Sequence, residues 1–294
     1  MDIAAFNPLG LLSRRSYDLR DKTVLITGAG QGIGLELAGI AHARGAFVAI
    51  VDVDEAAAEA AAGALGARAL AITADVRDRA AMAALTQRVV DTFGHLDVVV
   101  ANAGVTPAPA TVRSMDPRDF DRVMAVNLDG CFNTVHPALD HIVAAHGHVV
   151  VVSSCASFAP GMAGSPYMMS KAAVEQFGRA LRVELSAVGA SAGVAYFGVV
   201  DTGLTHATLD DDDIGRELGE MLPWPLNVRI SAAHAATVIA DGIERRAART
   251  IAPSGWEPYA LLRGAVNVVL DAQLAGSGKV RDLLARVEDR AVGR

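Results

Sequence analysis

The sequence predicts an α/β fold, a doubly wound parallel sheet covered by helices on both faces. Three observations lead to it. Short β-rich runs alternate with helical patterns through the first two-thirds of the chain, and such alternation builds a parallel sheet. The runs are continuously apolar, as in strands covered on both faces. A glycine-rich turn joins the first run to the first helical pattern, where sheets of this kind bind phosphate groups.

TVLITG over 23–28 opens the sheet, and a helical pattern follows near 32–44. AFVAIVD (46–52) and ARALAIT (67–73) are the next strands, separated by a helix near 54–64. Its AAAEAAAGALGA stretch is a good helix former rather than a linker. A helix near 78–93 leads to LDVVVANAG (96–104), and a helical stretch over 117–145 leads to HVVVVSS (148–154). The pattern over 165–188 precedes SAGVAYFG (191–198). No Pro/Gly/Ser linker divides this stretch, so residues 22–253 read as one catalytic domain. Residues 203–230, with LDDDD and PWP, break the rhythm and are expected as a substrate-loop insertion over one edge. A helix near 231–247 and a strand at TIAP (250–253) resume it. Residues 1–21 are expected as an N-terminal arm, and 254–294 as a helical extension in two pieces parted by GSGK.

Of 294 residues, 52% are hydrophobic and 20% charged, enough for a large core. The net charge of −7 argues against nucleic acid or an anionic membrane as partner. Cys131 and Cys155 cannot form a disulfide framework, which suits a reducing compartment. The start lacks the pattern of a secretory leader, and no apolar run reaches the roughly 18 residues of a membrane span. A cytoplasmic protein is expected.

The turn GAGQGIG places Gly28, Gly30, Gly32 and Gly34 between strand and helix, with Gln31 and Ile33 among them. Glycine lets backbone N–H groups approach a pyrophosphate at the positive end of the helix. The expectation is a Rossmann-like dinucleotide site. Asp52 ends the second strand 24 residues past Gly28, where an acid accepts hydrogen bonds from the adenosine ribose hydroxyls. Its charge repels the extra phosphate of NADP, and Gln31, Val53 and Asp54 supply no compensating cation. NAD is expected, with NADP as the second possibility.

In SPYMMSKAAVEQFGRALRVEL (165–185), Tyr167 and Lys171 stand four residues apart and share one helix face. A phenol titrates near 10 and is a poor base at neutral pH unless a neighbouring positive charge favours its anion. An ammonium one turn along provides that charge, fitting Tyr167 for proton exchange with an alcohol or carbonyl oxygen.

Taken together, TGAGQGIG, Asn102–Ala103–Gly104, Asn127, the serine pair before Cys155 and YMMSK resemble the short-chain dehydrogenase/reductase family over residues 22 to about 253. The resemblance implies Tyr167 as acid/base, with a serine thirteen positions upstream, which selects Ser154 over Ser153. Lys171 would lower the Tyr167 pKa and bind the nicotinamide ribose, Ser154 would orient the substrate oxygen, and Asn127 would hold a relay water. It further implies that Asp75–Val76 border the adenine ring, that Asn102, Ala103 and Gly104 lie beside the cofactor, and that Gly198, Val200 and Thr202 flank the nicotinamide. One departure stands out: Phe197–Gly198 replaces the family's usual Pro-Gly. A homodimer or homotetramer packed through 117–145 and 165–188 is also implied.

Other features have plainer readings. His136, His141, His146 and His148 do not share a helix face, so no metal is expected. LDDDDIGRELGEML is read as a solvated acidic helix cap, and Cys155 as a packed thiol. One of Met168 and Met169 is expected to pack while the other borders the substrate; Met162, Leu204, Met221, Leu222 and Trp224 are pocket-rim or core residues. The function expected is an NAD-dependent oxidoreductase acting on an apolar secondary alcohol or its ketone as a small-molecule substrate. Two other classes stay open: an NAD-sensing module without turnover, and an isomerase or dehydratase that uses NAD without net consumption.

Overall fold

Neighbouring residues of each central strand point into opposite apolar layers, which is why the runs lack alternation. Leu25 faces one layer and Val24 and Ile26 the other, all fully buried. Burying each such side chain contributes roughly 1.5–3 kcal/mol. The computed structural model describes residues 17–292, so most of the expected N-terminal arm lies outside the described residues.

The strands are β1 Thr23–Thr27, β2 Phe47–Asp52, β3 Ala69–Thr73, β4 Val98–Ala101, β5 His148–Val152, β6 Ser191–Phe197, β7 Val199–Asp201, β8 Arg229–Ser231 and β9 Arg249–Ala252. Seven of them form one sheet in the order β3-β2-β1-β4-β5-β6-β9, and β7 pairs with β8 alone. Every pairing in the large sheet is parallel. From β1 the chain winds outward to β3, then returns to place β4 on the other side of β1. That reversal opens a crevice at the carboxyl ends of β1 and β4, the switch point where open α/β sheets bind ligands.

Helices α1 (Gly32–Ala43) and α2 (Glu55–Leu65) cover one face, and α3 (Arg79–Phe93) covers the other. The stretch expected as one helix over 117–145 is broken into α4 (Pro117–Met124), a π turn (Ala125–Asp129), α5 (Gly130–Val135), a 3-10 turn at Pro137 and α6 (Leu139–Ala144). Proline lacks the N–H that would continue the helix, and the π turn turns Asn127 inward. Next comes α7 (Ser165–Ser186), the longest helix. The insertion holds α8 (Gly203–Thr205), a second π turn (His206–Asp210) and α9 (Asp213–Glu220); α10 (Ala232–Glu244) returns to the first face beside α1.

The extension forms α11 (Glu257–Gly276) and α12 (Gly278–Val292). The acid run is more than a solvated cap. Asp212 accepts from the Gly215 N–H at 2.8 Å, capping α9, and pairs with Arg290 of α12 at 2.6 Å. Asp213 also meets Arg290, and Glu217 meets Arg286. Beneath these pairs Ile214, Leu283, Val287 and Ala163 make a small apolar core that seats α12 on α9. Among the described residues, no helix is long and apolar enough to cross a membrane.

Candidate active site

Close contacts leave no room for a side chain at Gly28, Gly30 or Gly34 of the glycine turn. Gly28 and Gly32 have φ of +63° and +55°, in the left-handed region. A Cβ on Gly34 would stand 2.2 Å from the Gly28 carbonyl oxygen, and one on Gly28 would stand 2.9 Å from Ala103 Cα. Gln31 caps α1 with extended backbone and no side-chain bond, so the first amides of α1 are left for an anion.

Two side chains brace this turn. Asp52 Oδ2 accepts from the Gly30 N–H at 2.8 Å and Oδ1 accepts from the Asp54 N–H at 3.1 Å. Asn102 Nδ2 donates to the carbonyl oxygens of Thr27 at 2.9 Å and Gly28 at 3.1 Å. Both hold the backbone that a pyrophosphate would approach, and Asp52 still faces the cleft.

Across the crevice, α7 begins at Ser165 and sets Tyr167 and Lys171 on one face. Lys171 Nζ donates to the Val152 carbonyl oxygen at 2.9 Å and lies 5.8 Å from the centre of the Tyr167 ring. Burial lowers the Lys171 ammonium to about 8. The Tyr167 phenol is raised above its ordinary value by burial, while the Ser154 hydroxyl draws it down. Ser154 Oγ also lies 3.3 Å from the Phe197 carbonyl oxygen and accepts from the Ala156 N–H at 3.1 Å.

Asn127 is buried behind Lys171. Its Oδ1 accepts from the Val105 N–H at 2.8 Å, and its Nδ2 donates to Val105 O at 2.9 Å and Ser170 Oγ at 3.0 Å. It ties the loop after β4 to α7. Gly104 fits into the same place: a Cβ there would lie 3.3 Å from Lys171 Nζ and 3.4 Å from Asn127 Oδ1.

A single cleft of about 690 Å³ is lined by Gly28, Gln31, Gly32, Ile33, Asp52, Asp75, Val76, Asn102, Ala103, Gly104, Ser154, Tyr167, Lys171, Gly198, Val200 and Thr202. Gly30, Gly34 and Asn127 stand behind that lining and support it. Sequence reasoning missed Thr27, whose hydroxyl accepts from the Asn102 and Ala103 N–H groups at 3.2 and 3.3 Å. It also missed Ser153, which donates to the Lys171 carbonyl oxygen at 2.8 Å. Arg77 and Arg122 line the cleft too. Arg77 lies within ion-pairing distance of Asp75, which it holds below the usual carboxylate range.

Phe197 continues β6, paired with Ala252, and its side chain is buried in the layer under α1 and α10. A Cβ on Gly198 would meet Trp256 Nε1 at 2.5 Å, so glycine is required there. The strand therefore keeps its path beside Ser154 without proline. Of the candidate rim residues, Leu204 lines the cleft, Met221 packs against the small core under α12, Leu222 packs on the main core, and Trp224 is exposed. Met168 lies against Gly161, while Met169 is half exposed. Cys155 is fully buried. Among the described residues no His, Cys, Asp and Glu side chains gather as a metal site.

A dinucleotide fits what the residues offer: a glycine cradle with no space for a Cβ at Gly28, Gly30 or Gly34, amides at the start of α1 that no side chain caps, and a carboxylate at the end of β2. Residues 22–213 match the family model described as short chain dehydrogenase. A protein of Mycobacterium tuberculosis named probable oxidoreductase EphD is 34% identical over 275 residues, 89% of this chain and 45% of that protein; the chain spans a little under half its length. Cis-4-hydroxycyclohexanecarboxylate dehydrogenase of Sinomonas cyclohexanicum is 36% identical over 187 residues, 63% of this chain and 75% of that protein. The crystal structure of 3-ketoacyl-(acyl-carrier-protein) reductase from Brucella melitensis complexed with NADH aligns with a TM-score of 0.70 at 27% identity, covering 80% of this chain and 97% of that one. The chain belongs to the short-chain dehydrogenase/reductase family.

Proposed function

We propose that this chain is an NAD-dependent oxidoreductase that interconverts an apolar secondary alcohol and its ketone. The observation that supports it best is one cleft shared by the glycine cradle, Asp52, Ser154, Tyr167 and Lys171. The bound nicotinamide would supply or accept the hydride. Tyr167 exchanges the proton of the substrate oxygen. Burial keeps the phenol protonated, which equips it as an acid toward a ketone and calls for alkaline solution in the reverse direction. Ser154 orients the substrate oxygen. Lys171 would hold the nicotinamide ribose. The lowering of Tyr167 expected from its charge is not what burial leaves, since the phenol is raised and Ser154 is the group that draws it down. Asn127 would keep a relay water between Lys171 and solvent.

Asp52 favours NAD over NADP by repulsion, and Arg77, a cation lining the cleft, is paired with Asp75. The Sinomonas relative, named as a dehydrogenase of cis-4-hydroxycyclohexanecarboxylate, is one guide to substrate class. A homodimer or homotetramer is part of the same reading; Val183 of α7 and Phe132 of α5 expose apolar surface on the helices it would use.

The test is a panel of cyclic and linear secondary alcohols and ketones, followed by the absorbance of reduced nicotinamide with NAD and NADP in parallel. Turnover with NAD in excess over NADP is expected. An NADP preference would overturn the role of Asp52. Product formed without net change in NADH would point to isomerase or dehydratase chemistry instead.

A further inference from the structure

Helix α11 is turned inside out. Leu261, Leu262, Val268 and Val269 face solvent, and none of its residues is fully buried. Its half-buried side carries three polar residues four apart along one face, Tyr259, Arg263 and Asn267, with Leu270 and Leu274 further along. At its start Tyr259 and Ala260 pack on the main core, the Tyr259 ring against Phe158 and Trp256. Beyond that point polar contacts tie α11 down.

Those contacts converge on the 3-10 turn Cys155–Phe158, which begins at Ser154. Asn267 Nδ2 donates to the Phe158 carbonyl oxygen at 2.7 Å. The Tyr259 hydroxyl donates to Asn267 Oδ1 at 2.7 Å, with Phe158 O at 3.2 Å as its second acceptor. This fixes the Asn267 amide with its NH₂ toward the turn. Arg263 makes a two-pronged pair with Glu175 of α7 at 2.8 and 2.5 Å, its guanidinium 5.0 Å from the centre of the Phe158 ring. Glu175 is buried one helical turn beyond Lys171, on the stripe that begins with Tyr167. Ser157 Oγ donates to Ser154 O at 2.7 Å and lies 3.3 Å from Glu175 Oε2.

We infer that α11 is a clasp that positions Ser154, with Asn267 as its central positioning residue. The inference rests on the reading of Ser154 given above. Two stripes, 167–171–175 on α7 and 259–263–267 on α11, grip the turn from either side. Ser154 Oγ caps that turn, so a turn released at Phe158 is free to rotate the hydroxyl away from Phe197 O. A paired Arg–carboxylate with a buried partner is costly to break from one side, which makes the clasp rigid rather than loosely closed.

The test compares Asn267→Ala and Tyr259→Phe with the unmodified protein, alone and on a Ser154→Ala background. Asn267→Ala is expected to lower kcat about tenfold, the scale of a lost orientation, with NADH affinity by fluorescence unchanged. Arg263→Lys, which keeps the charge, should retain more activity than Arg263→Met. On the Ser154→Ala background, Asn267→Ala should add less than about a twofold loss, because residues acting as one unit are not additive. A full tenfold loss on both backgrounds, or none on either, overturns the clasp. A crystal structure of the Asn267→Ala protein decides independently of any assay: Ser154 Oγ should leave the Phe197 carbonyl, and an unmoved Ser154 overturns the inference. Failure of the proposed oxidoreductase activity would show separately, as an absence of NADH-linked turnover by the unmodified protein.

Discussion

Lys171 Nζ donates to the carbonyl oxygen of Val152 at 2.9 Å, joining the face of α7 that bears Tyr167 to the end of β5 just before Ser154. This bond makes one rigid unit of the helix and the strand that supply the candidate catalytic groups. It also explains how a buried ammonium is tolerated: a strong acceptor partly replaces its lost hydration.

A pH dependence follows. Burial lowers Lys171 to about 8 from its ordinary 10.5, so its charge is lost as pH rises through about 8. Ketone reduction is expected to hold below that value and decline above it. Lys171→Arg keeps a charge throughout and should lose this limb from the pH–rate profile, at a lower plateau. Persistence of the same limb in Lys171→Arg would assign it to another group.

Cofactor choice should follow Asp52. Asp52→Ala removes a carboxylate that also braces the Gly30 amide. Hydrogen bonds to charged groups are worth about 1.5–3 kcal/mol, so kcat/KM with NAD should fall roughly tenfold to a hundredfold. The preference over NADP should narrow, read by paired assays with the two cofactors.

The glycine cradle can be tested by stability alone. A Cβ on Gly34 would overlap the Gly28 carbonyl, whereas one on Gly39, in the same helix, would meet nothing within 4 Å. Gly34→Ala should cost about 3 kcal/mol, lowering the melting temperature by roughly 5–10 °C. Gly39→Ala should stabilise by about 0.5–1 kcal/mol through helix propensity.

His148 predicts how the protein responds to acid. It is buried at the start of β5, 2.8 Å from the Ser191 hydroxyl, and burial lowers it from 6.5 to about 3. The unfolded chain binds this proton more readily, so the stability tied to neutral His148 is present above about 6.5 and is lost as pH falls toward 3, up to about 5 kcal/mol. His148→Gln should flatten that part of the stability–pH curve, measured by denaturant unfolding at stepped pH.

The sequence exposed the parts of this molecule whose cause is local. Continuous apolar runs mark strands buried on both faces, and the helical spacing of Tyr167 and Lys171 puts them on one face whatever surrounds them. Contacts between distant segments left no such mark. Nothing near Glu175 announces Arg263, and nothing near Asp212 or Asp213 announces Arg290, so the acid run read as a solvated cap. The stretch 117–145 reads as one helix; Pro137 is a local sign of a break that this expectation passes over, whereas the π turn at Asn127 depends on reaching Val105 and Ser170. The extension was legible only as two helices parted by GSGK, because an amphipathic pattern gives no sign that polar residues such as Arg263 and Asn267 will face inward.

The central claim is that Tyr167 is the proton-exchanging group of a nicotinamide-linked reaction, and Tyr167→Phe tests it most directly. Steady-state turnover of the best substrate with NAD, alongside NADH binding by fluorescence, is the measurement. The account predicts a fall in kcat of at least about a hundredfold, with NADH affinity retained. Turnover unchanged in Tyr167→Phe would contradict it.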